Sequence, residues 1–150
     1  MIVLKRIIKH SDTLDFIKDL RDEIKAKFDL PITIGASCSK WIAKLITDRV
    51  KPFGVYCLEE NRVLDYTKDI SVDDFPGVGS AIGKKLSDYR IKTLGELRER
   101  PNLLYAYGKT GRDLYERICG TDNDKVIPYS DRRGIGISRN FKAIIARDEI

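Results

Sequence analysis

Two glycines flank a single valine at Gly77-Val78-Gly79, behind Phe75-Pro76 and ahead of a stretch with helical spacing, residues 80–89. No other feature restricts the fold as much. Proline fixes the backbone on entry, and the glycines permit a turn too tight for side chains, so the chain must double back between helices here. Two familiar glycine loops are excluded. A dinucleotide-binding loop needs GxGxxG directly after a buried strand, but Gly83 falls one position late and Asp73-Asp74-Phe75-Pro76 is not a buried strand. The phosphate loop of nucleotide hydrolases fails too: Gly108-Lys109-Thr110 supplies its ending, but Leu103 stands where its first glycine belongs.

A helix–hairpin–helix accounts for the segment. Its exposed backbone N–H groups and the start of the following helix, around Ser80, would face a phosphate. Lys84 and Lys85 follow within a turn, Ala81 and Gly83 are small enough for close helix packing, and Ile82, Leu86 and Ile91 would hold the two helices together. Such a motif grips the sugar–phosphate backbone and reads no sequence. The alternative is that the glycines merely cap a helical turn. Gly108-Lys109-Thr110-Gly111-Arg112 repeats the logic, with glycines, two cations and a helix start; alone it reads more readily as a glycine-capped surface turn, and two such loops in one basic half reinforce each other.

Charge is placed to match. The 28 basic and 23 acidic residues give +5, yet residues 1–75 carry 13 of each. Residues 76–120 carry 9 basic and 5 acidic, and residues 121–150 carry 6 and 5. The positive excess therefore lies in the C-terminal half and points to a polyanion there. With 42% hydrophobic residues over 150, the chain can bury a core without a staple. Cys38, Cys57 and Cys119 are odd in number and widely spaced, which fits a reducing compartment and neither a disulfide framework nor a zinc site. No apolar run approaches the roughly 20 residues of a membrane span, and residues 1–10 are too short and too charged for a signal peptide.

The pattern predicts an α+β chain. A helix is expected over residues 11–28, with Leu14, Ile17, Leu20, Ile24 and Phe28 on its apolar side. A strand follows at Ile32-Thr33-Ile34, closed by Gly35; a helix capped by Ser39 runs to about Arg49; a second strand is Val55-Tyr56-Cys57-Leu58. Beyond a boundary near residues 66–72 the texture changes to short helices, at residues 80–89, after Thr93, at 102–107 and at 110–119. The stretch 132–150 reads as extended. Tyr105, Tyr107 and Tyr115 read as packing, and His10 as solvent-facing.

In order along the chain, Ile32-Thr33-Ile34-Gly35-Ala36, then Lys40-Trp41-Ile42-Ala43-Lys44 with Asp48 and Lys51-Pro52-Phe53-Gly54, then the Phe75–Leu86 segment with Ile91-Lys92-Thr93-Leu94-Gly95-Glu96-Leu97 resemble the Y-family (translesion) DNA polymerases. Tyr107-Gly108-Lys109, Leu114-Tyr115, Gly120-Thr121-Asp122, Arg132-Arg133-Gly134-Ile135-Gly136 and Asn140-Phe141 extend the likeness. The resemblance implies a C-terminal part of the palm over residues 1–68, built helix–strand–helix–strand. A small all-helical thumb with the helix–hairpin–helix would cover 69–128, and a linker with the start of the little finger 129–150. It implies duplex primer–template DNA as partner, held at Gly77, Val78, Gly79, Ser80, Gly83, Lys84, Lys85, Gly108, Lys109, Thr110, Gly111 and Arg112. It makes Lys44 a contact to the incoming nucleotide's triphosphate, with Lys51 near the same pocket. Phe53 stands where the family usually has Asn, and Ser37-Cys38-Ser39 also departs from it.

In the full family enzyme Mg²⁺ is held by carboxylates that lie upstream of the helix matched by residues 11–28, and no residue here matches them. The expectation is a cytoplasmic DNA-binding part of a translesion and repair polymerase with no catalytic or metal-binding residues of its own, inactive alone. The alternatives are half of a split polymerase completed by a separate palm and fingers chain, or a protein-interaction module derived from the thumb. No membrane partner is implied.

Overall fold

A computed structural model of the chain describes residues 10–126 together with Gly134 and Gly136. The helix α1 (His10–Phe28) leads to strand β1 (Ile34–Ala36), helix α2 (Lys40–Arg49) and strand β2 (Val55–Cys57). The two strands pair in parallel, Ile34 beside Val55 and Ala36 beside Cys57, with α2 as the crossover between them. Strand β1 begins two residues later than Ile32-Thr33-Ile34 predicts, because pairing starts only where a partner exists. The Ile34 N–H reaches the Gly54 carbonyl at 3.0 Å, whereas the Thr33 hydroxyl accepts the Phe53 N–H at 3.0 Å. Gly35 lets α2 lie close on the strand: a Cβ there would stand 2.4 Å from the Ala43 carbonyl oxygen.

Ser39 caps α2, its hydroxyl accepting the Trp41 N–H at 3.2 Å, and Ile42, Leu45 and Ile46 form the buried side. On α1 the expected apolar side is only partly covered. Ile17 is 3% exposed, Leu14, Leu20 and Ile24 are half-buried, and Phe28 is 68% exposed.

Short helices follow: α3 (Val63–Thr67), α4 (Ser80–Asp88), α5 (Leu94–Glu99), α6 (Asn102–Tyr105) and α7 (Gly108–Cys119), with 3₁₀ turns at Glu60–Arg62 and Val72–Asp74. Thr93 caps α5 in a full capping box with Glu96. Gly120, at φ 74°, ends α7 in the left-handed conformation that glycine favours. The helix α6 is shorter than 102–107 predicts and α7 starts two residues earlier than 110, since Ala106 and Tyr107 form the turn between them.

One cluster of buried side chains runs from Ile42 through Val63, Phe75, Leu86 and Leu97 to Ile118. Arg98 crosses its edge. The guanidinium donates to the Leu64 carbonyl at 2.9 Å, to the Ile118 carbonyl at 3.2 Å and to the Thr67 hydroxyl, tying α3, α5 and α7 together. The expected extended stretch 132–150 and the boundary at 128/129 lie outside the described residues, Gly134 and Gly136 apart.

Candidate nucleic-acid interface

The turn before α4 is built from its glycines. Phe75 is buried and anchors the entry, its carbonyl accepting the Val78 N–H at 3.1 Å. Gly77 takes φ 105°, which a side chain rarely adopts. Gly79 is the N-cap of α4 and brings no side-chain cap, and a Cβ there would meet nothing within 4 Å. The first N–H groups of α4 therefore open onto solvent beside Ser80. Leu86 and Ile91 are buried, and the Ile91 N–H reaches the Leu86 carbonyl at 2.9 Å, fastening α4 to the approach to α5.

The sequence marked Gly83 as part of this surface, but Gly83 is buried. Its N–H is used within the helix turn by the Gly79 carbonyl at 2.9 Å, and a Cβ on it would lie 2.6 Å from Asp73 Oδ1. Gly111 is likewise turned inward: a Cβ there would stand 1.7 Å from the Leu104 carbonyl oxygen, so this glycine allows α6 and α7 to touch. Gly77, Gly79, Ser80, Lys84, Lys85, Gly108, Lys109, Thr110 and Arg112 are exposed and Val78 is half-buried.

Side chains of α4 and α7 link the two glycine segments. The nearest heavy atom to a Cβ on Gly77 would be Leu114 Cδ1 of α7, at 3.5 Å, and the Lys85 ammonium lies 4.9 Å over the Tyr107 ring at the N-cap of α7. Their cations are available. Lys84, Lys109 and Arg112 make no ion pair among the described residues, while the basic groups of α1 are engaged: Lys18 with Asp15 at 3.6 Å, Lys27 with Glu23 at 3.7 Å, and Lys25 with Asp29. Part of the positive excess in residues 76–120 is thus free surface charge, whereas Arg98 and Arg117 are engaged within the fold.

Lys44 and Lys51 sit in a second corner, on α2 and just beyond it. Both face one carboxylate: Asp48 accepts from Lys51 at 2.7 Å and from Lys44 at 3.4 Å, and these pairings, that with Lys51 foremost, hold its carboxyl below the usual range. Arg21 of α1 supports this corner and was missed in the sequence. Its guanidinium lies 4.7 Å over the Phe53 ring and Nη1 donates to the Phe53 carbonyl at 3.4 Å. The signal was present, since Arg21 falls four residues after Ile17 and three before Ile24, on the apolar side.

Among the described residues no three His, Cys, Asp or Glu side chains gather closely enough to hold a metal ion. No helix among them is long and apolar enough to cross a membrane.

The impB/mucB/samB family model matches residues 1–48. Among curated relatives, DNA polymerase IV of Shewanella frigidimarina is 34% identical over 122 residues, which is 80% of this chain and 34% of that protein. DNA polymerase IV of Staphylococcus epidermidis is 31% identical over 133 residues, 87% of this chain and 37% of that protein. The chain thus spans about a third of the length of the relatives it matches. Among solved structures, a Y-family DNA polymerase chimera built on Dbh superposes with a TM-score of 0.72 at 22% identity, over 82% of this chain and 37% of that one. A DinB family error-prone DNA polymerase from Sulfolobus solfataricus does so with a TM-score of 0.67 at 23% identity, over 79% and 36%. At those identities the structures speak for the fold.

Proposed function

We propose that this chain, whose sequence and fold are those of a segment of the Y-family DNA polymerases, holds duplex primer–template DNA by its sugar–phosphate backbone during translesion synthesis and repair in the cytoplasm. The observation that carries this reading is a pair of uncapped helix starts, at Gly79 and Tyr107, linked by Lys85 of α4 over the Tyr107 ring, with Lys84, Lys109 and Arg112 exposed and making no ion pair among the described residues. Helix N-termini and unpaired cations suit phosphates, and contacts to phosphate carry no base identity. Residues 1–68 serve as part of the palm and 69–128 as the thumb. In the palm part Lys44 and Lys51 contact the triphosphate of an incoming nucleotide, exchanging Asp48 for phosphate oxygens. The chain contributes grip and charge, and no metal-dependent step is assigned to its residues.

Lysine acylation read by mass spectrometry tests this. Duplex DNA is expected to protect Lys84, Lys85 and Lys109 and to leave Lys18 and Lys27 reactive. Equal protection of all five, or of none, contradicts the reading.

A further inference from the structure

We infer that Asp73 limits the strength of the DNA grip, by holding a carboxylate in the groove that a backbone phosphate would enter. The inference rests on the DNA-backbone reading above. Asp73 lines one groove with Val78, Gly79, Ser80, Lys84 and Ser87. Its Oδ1 lies close against α4 at Gly83, where a Cβ would stand 2.6 Å from that oxygen. Its backbone is fixed at the start of the 3₁₀ turn, where its N–H reaches the Ser71 hydroxyl at 3.3 Å. Among the described residues this carboxylate makes no ion pair, in contrast to Asp15, Asp48, Asp65 and Asp124.

An unpaired carboxylate beside a helix N-terminus is favourable in the free protein, because the N–H dipoles attract negative charge. A phosphate arriving at the same dipoles meets that charge and is repelled by it. Lys84, on the other wall of the groove, supplies the attraction. The balance keeps the grip weak and reversible, so the protein can release one phosphate and take the next. Asp74 is the internal control: it is the adjacent residue, carries the same charge and is exposed, but it does not line the groove.

The test is a titration of a fluorescein-labelled DNA duplex with the full chain, Asp73→Asn and Asp74→Asn, at low and high salt. Removing a unit charge from the groove should tighten binding about three- to tenfold at low salt. The gain should fade toward about 1 M salt, where screening acts within about 3 Å. Asp74→Asn should stay within about twofold of the parent, since its charge acts only at long range through solvent. If both variants gain equally, or neither gains while the parent binds in a salt-dependent way, the inference is overturned and the DNA reading stands. If the parent shows no salt-dependent affinity, the DNA reading fails and the inference with it.

Discussion

The Asp124 carboxylate accepts the indole N–H of Trp41 at 2.7 Å, and the same oxygen takes the Nε–H of Arg117 at 2.8 Å. The Arg117 guanidinium covers the Trp41 ring at 4.4 Å, and Asp122 accepts the Ser39 hydroxyl. The segment after α7 is thereby strapped over the start of α2. One end of α7 carries Lys109 and Arg112 and the other clamps the helix that carries Lys44, so the strap fixes the spacing of the two proposed contact regions.

Trp41 is the chain's single tryptophan, so its emission reports on the strap alone. Asp124→Ala frees the indole N–H and the Arg117 guanidinium. The expected result is a red-shifted emission maximum, easier quenching by acrylamide and a lower melting temperature. An unchanged emission spectrum contradicts the strap.

Acid should weaken the fold, with a sign fixed by its carboxylates. The Lys92 and Thr93 N–H groups, bound at 2.7 and 3.2 Å, hold Glu96 below its usual value of 4.5. The Trp41 indole, and after it Arg117, holds Asp124 below 3.8. A depressed carboxylate adds stability that is fully present above its unfolded value and is lost as pH falls through the folded one. Thermal melts should therefore be nearly flat from about pH 7 to 5 and fall below about pH 4.5. Glu96→Gln keeps an acceptor for the capping box and should make the decline shallower. A decline that begins near neutrality contradicts the assignment.

Two glycines should behave in opposite ways. Gly111→Ala drives a methyl group into the Leu104 carbonyl and should cost about 3 kcal/mol, read as a lower melting temperature. Gly79→Ser meets open space, and its hydroxyl can cap α4, so stability should rise by about 0.3 kcal/mol. The same hydroxyl takes an N–H that a phosphate needs, so duplex affinity should fall several-fold. Gly79→Ser that leaves affinity intact removes this N-terminus from the interface.

What could be read from the sequence was local. Ser39 and Thr93 announce helix starts because a cap is made within three residues. The turn at Gly77 could be read because a glycine behind proline and ahead of a helical stretch suits a positive φ. The strand register could not, since Ile34–Ala36 pairs only where β2 runs beside it. Nothing in the sequence separates Gly79, which is open, from Gly111, which is pressed on Leu104, because that difference is made by a helix contact in space. Phe28 continues the helical apolar pattern yet stays exposed, since among the described residues nothing covers the end of α1. Asp73 gave no signal at all: its place in the groove depends on Gly83 having no side chain.

The central claim is that unpaired cations at two helix starts hold the DNA backbone. Fluorescence anisotropy of a duplex, titrated with the full chain across a range of salt, tests it most directly when repeated with Lys84→Ala/Lys85→Ala and with Lys18→Glu. Three or four neutralised phosphates predict a slope of log K against log salt of about −3. The double variant should weaken binding alike for unrelated sequences and flatten the slope by about one to two, while Lys18→Glu changes little. Affinity indifferent both to salt and to the loss of Lys84 and Lys85 would contradict the account.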